Sequence, residues 1–373
     1  MQRIRLEELK PGMVVAKPIY DQEGRVLLNR GVVLRDSLID RLRQIGCPAV
    51  YIDVPLAEGI VLPDMLKEET RAKSISQLRK AFDDVQTGQS LDLDAIKDTV
   101  INIIDEVLAN ARILVNLTDI RTYDSYTFGH CVNVCVLSIL TGHKLQLNEL
   151  EMRDLAVGAI LHDIGKVKVP KEVLQKPGPL TEEEFELVKK HTTHGFDILR
   201  HNNDLSILIA HIAYQHHERL QGQGYPRGLK DSKIHKYAQI VAVADSFDAM
   251  TSERVYRGAI PPVKAVATLR EMSGDFFAPE VVEALVSTIA IYPIGSWVRL
   301  TSGHIGVVVD VNNKHPNLPV VRLVFNPRGE KIGTLTEVDL ITVNDLFIES
   351  VFLPEEMEAL GLFNGQAWPG TEG

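Results

Sequence analysis

The chain has 373 residues, 45% hydrophobic and 24% charged, with a formal net charge of −10. This is the balance of a soluble globular protein of two or three domains, and an acidic chain with no long basic run is excluded as a duplex nucleic-acid binder that relies on phosphate neutralisation. Cys47, Cys131 and Cys135 form neither a CxxC pair nor a disulfide framework, no signal-peptide core follows Met1, and no apolar run reaches the ~18 residues of a membrane span, so a cytoplasmic protein is expected.

In chain order, residues 1–60 read as a small α/β module. A turn at Pro11-Gly12 precedes a short strand at Met13 to Val15, and a hairpin turn over Asp21 to Gly24 leads into Val26-Leu27-Leu28. Asp36 or Ser37 can cap a helix running through Leu38, Leu42 and Ile45, Gly46 would stop it, and Ala49 to Ile52 returns as a strand. The module has no catalytic cluster, which suits input or interaction. Residues 61–115 are charged and helical in pattern, with Ile101, Ile104, Val107 and Leu108 at helical spacing. They suit a connector, a dimerisation helix, or a helix packed on its own domain.

Residues 116–290 hold ten of the twelve histidines on an almost wholly helical pattern. Ala156, Ala159 and Ile160 lead into His162-Asp163; Ile209, Ile212 and Ala213 lead into His216-His217; Val241 and Ala244 lead into Asp245. Ligands on core-facing helix positions are how helical bundles build metal sites. From about 291 the period changes to two: Trp297 to Leu300, Ile305 to Val309 and Val320 to Phe325 read as strands, with turns at Asn312-Asn313 and Asn326 to Gly329. Residues 291–355 are expected to form a small β-barrel-like module, and 356–373 a loose tail.

Imidazoles and carboxylates together suit Fe, Mn or Zn. Two adjacent buried imidazoles on one helix, His216-His217, are costly without partners, and Asp245 within an apolar run needs a cation. A metal supplies one, as would a salt bridge to Arg or Lys. A carboxylate can bridge two ions, and paired ions are the usual means of cleaving phosphodiesters. Gly165 permits the chain to leave the helix after the His-Asp pair, and Lys166 then follows closely enough to hold a phosphate as a point charge. Cys131 and Cys135, beside His130, read as small buried hydrophobes. His194, His201, His211 and His235 read as surface or supporting residues, with His235 nearest to a site role.

The ordered series His130, His162-Asp163-Ile-Gly-Lys166, His191, His216-His217-Glu218-Arg219, Gly222-Gln-Gly224-Tyr225-Pro226 and Asp245-Ser-Phe-Asp248 resembles the HD-GYP family. The family is a metal-dependent branch of the HD superfamily that hydrolyses the bacterial second messenger cyclic di-GMP. The resemblance runs from about 120 to 275. It implies a multidomain, mainly α protein: a central HD-type helical bundle, a small N-terminal α/β module and a small C-terminal β-barrel-like module.

By position, the resemblance makes His130, His162, Asp163, His191, His216, His217 and Asp245 the ligands of two divalent metal ions. Iron or manganese is favoured and zinc is left open. Asp163 would bridge the ions, and Lys166 would contact substrate phosphate. Gly224, Tyr225 and Pro226 would shape the nucleotide pocket, and Arg254 and Arg257 would meet the second phosphate or base. A metal-activated hydroxide would open cyclic di-GMP to linear pGpG, and a second cleavage would give GMP. Tyr126 stands where some members carry a Glu that holds a third metal, and Gln221 stands where Asp or Asn is usual. The first departure implies two metals, and the second bears on the pocket loop. A receptor that binds the dinucleotide without turnover, and an HD phosphohydrolase acting on another nucleotide, are the competing readings. A homodimer through 61–115 and an unidentified partner of the N-terminal module complete the expectations.

Overall fold

The computed structural model describes residues 2–20, 25–45, 47, 49–53, 65–111, 114–115, 126–176, 178–252, 260–352 and 356. The turn expected over Asp21 to Gly24, the stop at Gly46, Arg254, Arg257 and all of the tail but Glu356 lie outside these residues. The chain divides into two compact units. Met65–Ile113 and Ile120–Ile289 make one, and Met1–Asp64, Leu114–Asp119 and Ala290–Gly373 make the other.

In the second unit, β1 (Gln2–Arg5) pairs antiparallel with β4 (Ala49–Ile52), and β2 (Ile19–Tyr20) with β3 (Val26–Leu28). Val14 and Val15 form only isolated bridges, to Val33 and Ile52, so the strand expected at Met13 to Val15 is a pair of single contacts. Helix α1 (Asp36–Gln44) starts after an extended Arg35 and has no side-chain cap. Asp36 is instead its first residue, where a carboxylate meets the positive end of the helix dipole.

The helical unit contains α2 (Glu68–Gln86), α3 (Leu93–Ala109), α4 (Tyr126–Lys144), α5 (Glu149–Leu161), α6 (Lys171–Leu174), α7 (Glu182–Lys189), α8 (His191–Arg200), α9 (Ile207–Gln215), α10 (Lys236–Thr251), α11 (Pro262–Glu271) and α12 (Pro279–Val286). Helices α4, α5, α9 and α10 are its centre, with α3 laid on α4 and α5 and α2 on α3 and α4. The buried stripe of α3 is Ile96, Val100, Ile103 and Val107. That stripe is turned from the expected one and shares only Val107 with it. Ile101, Ile104 and Leu108 flank it, because the stripe that faces both α4 and α5 is the one with spacing four, three, four. Helix α5 begins with a capping box between Asn148 and Glu151 and is buried continuously from Leu155 to Leu161. Gly158 is what lets α9 cross it, since a Cβ there would stand 2.1 Å from Ile212 Cδ1.

The C-terminal strands β5 (Trp297–Leu300), β6 (Ile305–Asp310), β7 (Val320–Phe325), β8 (Lys331–Asp339) and β9 (Ile348–Phe352) form one antiparallel sheet in the order β8-β7-β6-β5-β9. Val298, Leu300, Val308, Val321 and Leu340 form the core on one face. Strands β8 and β9 carry no clean apolar alternation, and their pairing to β7 and β5 is decided by the sheet. No helix among the described residues is long and apolar enough to cross a membrane.

Candidate metal centre

Six elements converge on one buried cluster. His130 comes from α4 and Asp245 from α10, while His162 and His216 stand at the C-terminal ends of α5 and α9. Asp163 opens the 3₁₀ segment Ile164–Lys168, and His191 opens α8 where α7 has ended. The expectation that His216 and His217 share one helix is corrected: α9 stops at Gln215 and the pair follows it.

That placement has a physical use, because the last carbonyls of a helix have no intrahelical donor. His162 Nδ1 donates to the Ala159 carbonyl at 2.7 Å, His191 Nδ1 to that of Val188 at 2.6 Å, and His216 Nδ1 to that of Ala213 at 3.0 Å. A carbonyl only accepts, so each ring carries its proton on Nδ1 and turns the lone pair of Nε2 into the cluster. His191 Nε2 and His216 Nε2 then face each other at 3.2 Å, lone pair to lone pair. His162 Nε2 is buried with no hydrogen-bond partner among the described residues. Three donors held this way call for a cation. Two nitrogens about 2.0–2.1 Å from one ion stand roughly 2.8–3.4 Å apart at octahedral or tetrahedral angles, and the observed spacing falls in that range.

The ligand atoms fall into two sets. His191, His216 and His217 offer nitrogens within 4.8 Å of one another, and so do His130, His162 and Asp245 with two nitrogens and an oxygen. Asp163 lies between them. Its Oδ1 is 3.5 Å from His191 Nε2, and its Oδ2 is 3.5 Å from His162 Nε2 and 4.0 Å from His130 Nε2. Asp245 Oδ1 is 3.2 Å from His130 Nε2, and its Oδ2 is 4.0 Å from His217 Nδ1.

Burial drives His191 down to about 4 and His162, His216 and His217 below the ordinary imidazole value, so these rings are neutral and available as ligands. Burial also opposes charge on His130, but hydrogen bonds to Asp245 and Asp248 outweigh it and raise that ring to about 10. Burial likewise opposes ionisation of Asp163 and Asp245. Lys166 and the histidines outweigh it for Asp163, and His130 does so for Asp245, so both carboxyls sit well below the carboxylate range. Without metal, a proton on His130 and the Lys166 ammonium stand in for positive charge that the two carboxylates demand. The partner of Asp245 is thus a histidine of the cluster, not the Arg or Lys of the salt-bridge reading.

Lys166 is where the sequence places it: its Nζ donates to Asp163 Oδ2 at 2.5 Å. Gly165 has a larger role than releasing the helix. A Cβ there would lie 1.9 Å from the His191 carbonyl oxygen and 2.4 Å from the Gly195 amide nitrogen, so only glycine lets the 3₁₀ segment rest on α8. Gly224 acts the same way, its imagined Cβ standing 2.3 Å from the His217 carbonyl. Tyr225 then stacks on His217 at 4.6 Å and 26°, with Phe185 of α7 edge-on to it and Lys189 above both rings. The Gly224-Tyr225-Pro226 loop is tied from beneath by buried Glu218, whose carboxylate accepts the backbone amides of Arg227 and Leu229. Gln221 reaches the Asp275 carboxylate at 2.7 Å, which anchors the loop from its other side.

Three candidates take other roles. His235 caps α10 by accepting the Tyr237 amide. Cys131 is fully buried with its sulfur near His162 and Asp163, but burial pushes its thiol well above the usual range and Cys135 donates to the Ala156 carbonyl. Glu218 and Asp248 stand in the motif series without a role, and Asn133 and Arg71 lie outside it. Asp248, a second carboxylate one turn after Asp245 in an apolar helix, is the readable signal among them.

Residues 109–281 match the HD domain model, and 297–360 match a KOW domain associated with HD domain. Cyclic di-GMP phosphodiesterase PA4108 of Pseudomonas aeruginosa is 33% identical over 88% of this chain and 86% of its own. A cyclic di-GMP phosphodiesterase of Thermotoga maritima is 46% identical over 44% of this chain and 45% of its own. The solved structure of Bd1817, an HDG"Y"P protein from Bdellovibrio bacteriovorus, aligns with 76% of this chain and 98% of that one at a TM-score of 0.52 and 19% identity, which is a likeness of fold. With the seven clustered His and Asp residues in place and relatives of this extent, the chain belongs to the HD-GYP family of metal-dependent phosphodiesterases.

Proposed function

We propose that the chain hydrolyses cyclic di-GMP at a pair of divalent ions, iron or manganese by preference. The observation that carries the reading is Asp163, whose two carboxylate oxygens each face a separate set of histidines. In this reading His191, His216 and His217 would hold one ion, His130, His162 and Asp245 would hold the other, and Asp163 would be shared between them.

When bound, the two ions supply Lewis acidity to the phosphoryl oxygens and generate a nucleophile from water at neutral pH. The rest is done by the chain's own groups. Asp163 and Asp245 arrive ionised and the imidazoles arrive neutral, so no proton need leave a ligand histidine other than His130 as the site fills. Lys166, whose ammonium holds Asp163, would meet a phosphoryl oxygen of the substrate as a point charge. Tyr225, fixed by its stack on His217 and by Gly224, presents a ring edge to a guanine. Arg254 and Arg257 serve the distal phosphate or base. Opening of the ring gives pGpG, and a second hydrolysis gives GMP.

We assign residues 1–60 to input or interaction, 61–115 to a connector capable of homodimerisation, 291–355 to a small barrel-like module, and the protein to the cytoplasm. Anaerobically purified protein loaded with ferrous or manganous ion and incubated with cyclic di-GMP should yield pGpG or GMP on chromatography. Asp163→Ala should lose both metal and turnover. Tight binding without product, at full metal content, would replace the hydrolase by a receptor.

A further inference from the structure

A buried chain of hydrogen bonds runs from α2 to the metal centre. Arg71, 1% exposed, donates from Nη1 to Asn133 Oδ1 at 3.0 Å. Asn133 Nδ2 donates to Asp248 Oδ1 at 2.9 Å, and Asp248 Oδ2 is 2.7 Å from His130 Nδ1. The order of donors is forced. A guanidinium has no acceptor, so it must take the amide oxygen of Asn133 and leave the amide nitrogen for Asp248. Asp248, holding a fixed donor on one oxygen, presents the other to His130. A carboxylate there keeps the proton of His130 on Nδ1 and points Nε2 at the cluster, the arrangement that orients and strengthens an imidazole ligand.

We infer that Arg71 is a positioning residue for one of the two metal ions, acting through Asn133, Asp248 and His130. Two observations give the inference its weight. Burying a guanidinium is costly, and here Nη1 is spent on a side-chain amide rather than on the fold's backbone. Arg71 also lies on α2, well upstream of residue 109 where the HD match begins, so a segment read as a connector supplies part of the support of the centre. The effect is confined to one subsite. His162, His191 and His216 take their orientation from backbone carbonyls and do not depend on this chain.

The inference rests on the reading of His130 as a ligand, and the two can fail separately. The experiment is titration of metal-stripped, full-length protein with manganous ion, following both equivalents by calorimetry. Arg71→Met and Asn133→Ala should each weaken one equivalent by roughly 10- to 100-fold and leave the other within about threefold. The double variant should be no worse than the more affected single one, because the residues act in series. Leu78→Ala, on the same helix and fully buried, is the control for lost packing and should leave both equivalents unchanged. Wild-type binding in Arg71→Met and Asn133→Ala, or equal weakening of both equivalents in these variants and in Leu78→Ala, overturns the inference. Should Arg71→Met fail to fold, Asn133→Ala decides alone. If His130→Ala itself keeps both equivalents at wild-type affinity, the ligand assignment has failed; if it loses one while Arg71→Met keeps both, only the positioning role has.

Discussion

Gly165→Ala is the sharpest perturbation the geometry offers. A single methyl placed there meets two backbone atoms of α8, the His191 carbonyl oxygen at 1.9 Å and the Gly195 amide nitrogen at 2.4 Å. Neither can rotate away as a side chain would. For the first contact to relax to an ordinary 3.4 Å, the 3₁₀ segment and α8 must part by about 1.5 Å. Overpacking of this kind costs about 1–3 kcal/mol, and rigid neighbours put this site at the upper end, so Tm should fall by roughly 4–10 °C. The separation falls between Asp163, two residues before, and His191 on the far side of the contact. Metal sites tolerate about 0.2 Å in ligand distance, so one ion should be lost at ordinary metal concentrations, and turnover should drop by about 100-fold or more. A melting curve, metal analysis and product chromatography on one preparation measure all three. Gly333→Ala, where an added Cβ has nothing within 4 Å, is the companion expected to change none of them. A Gly165→Ala protein that melts like the wild type, keeps two ions and turns over normally would refute the reasoning.

Glu218→Gln should cost about 1.5–3 kcal/mol, because a charged acceptor of two backbone amides is replaced by a group with one acceptor oxygen. The loop above it should loosen, raising KM while metal content holds; an unchanged KM would separate Glu218 from the pocket. Gly158→Ala should lower stability by about 1–3 kcal/mol as Ile212 is displaced, read as a fall in Tm with both ions retained. Chelation should lower Tm, and manganous ion at one hundred times its Kd should restore about 2.7 kcal/mol, since the facing nitrogens of His191 and His216 have no cation without it; a Tm indifferent to chelator would argue against a metal there. Lys166→Met should bind both ions and lose affinity for substrate by about tenfold or more, seen in KM against metal titration.

The chemistry of the centre is legible in the chain alone. Seven His and Asp residues in apolar helical surroundings admit few explanations, because a buried carboxylate or imidazole pair requires a partner, and the ordered motifs name the family. The sequence also placed the strands at 297–300 and 320–325, whose alternation is a local property of the chain. What it left undetermined depends on contacts between distant segments. Periodicity says that α3 has an apolar face but not which stripe meets α4 and α5, so Ile96, Val100 and Ile103 were missed. Strands β8 and β9 lack an alternating pattern and exist as strands because β7 and β5 pair with them. Gly165 reads as freedom of the backbone and Gly224 as part of a pocket loop, whereas the need for glycine at both is the close approach of another backbone. Arg71 and Asn133, 62 residues apart, become one hydrogen-bonded unit only when α2 lies on α4. A ligand's identity is written in its own side chain, but its orientation is set by whatever the fold brings to its other nitrogen, and that was decided by tertiary structure alone.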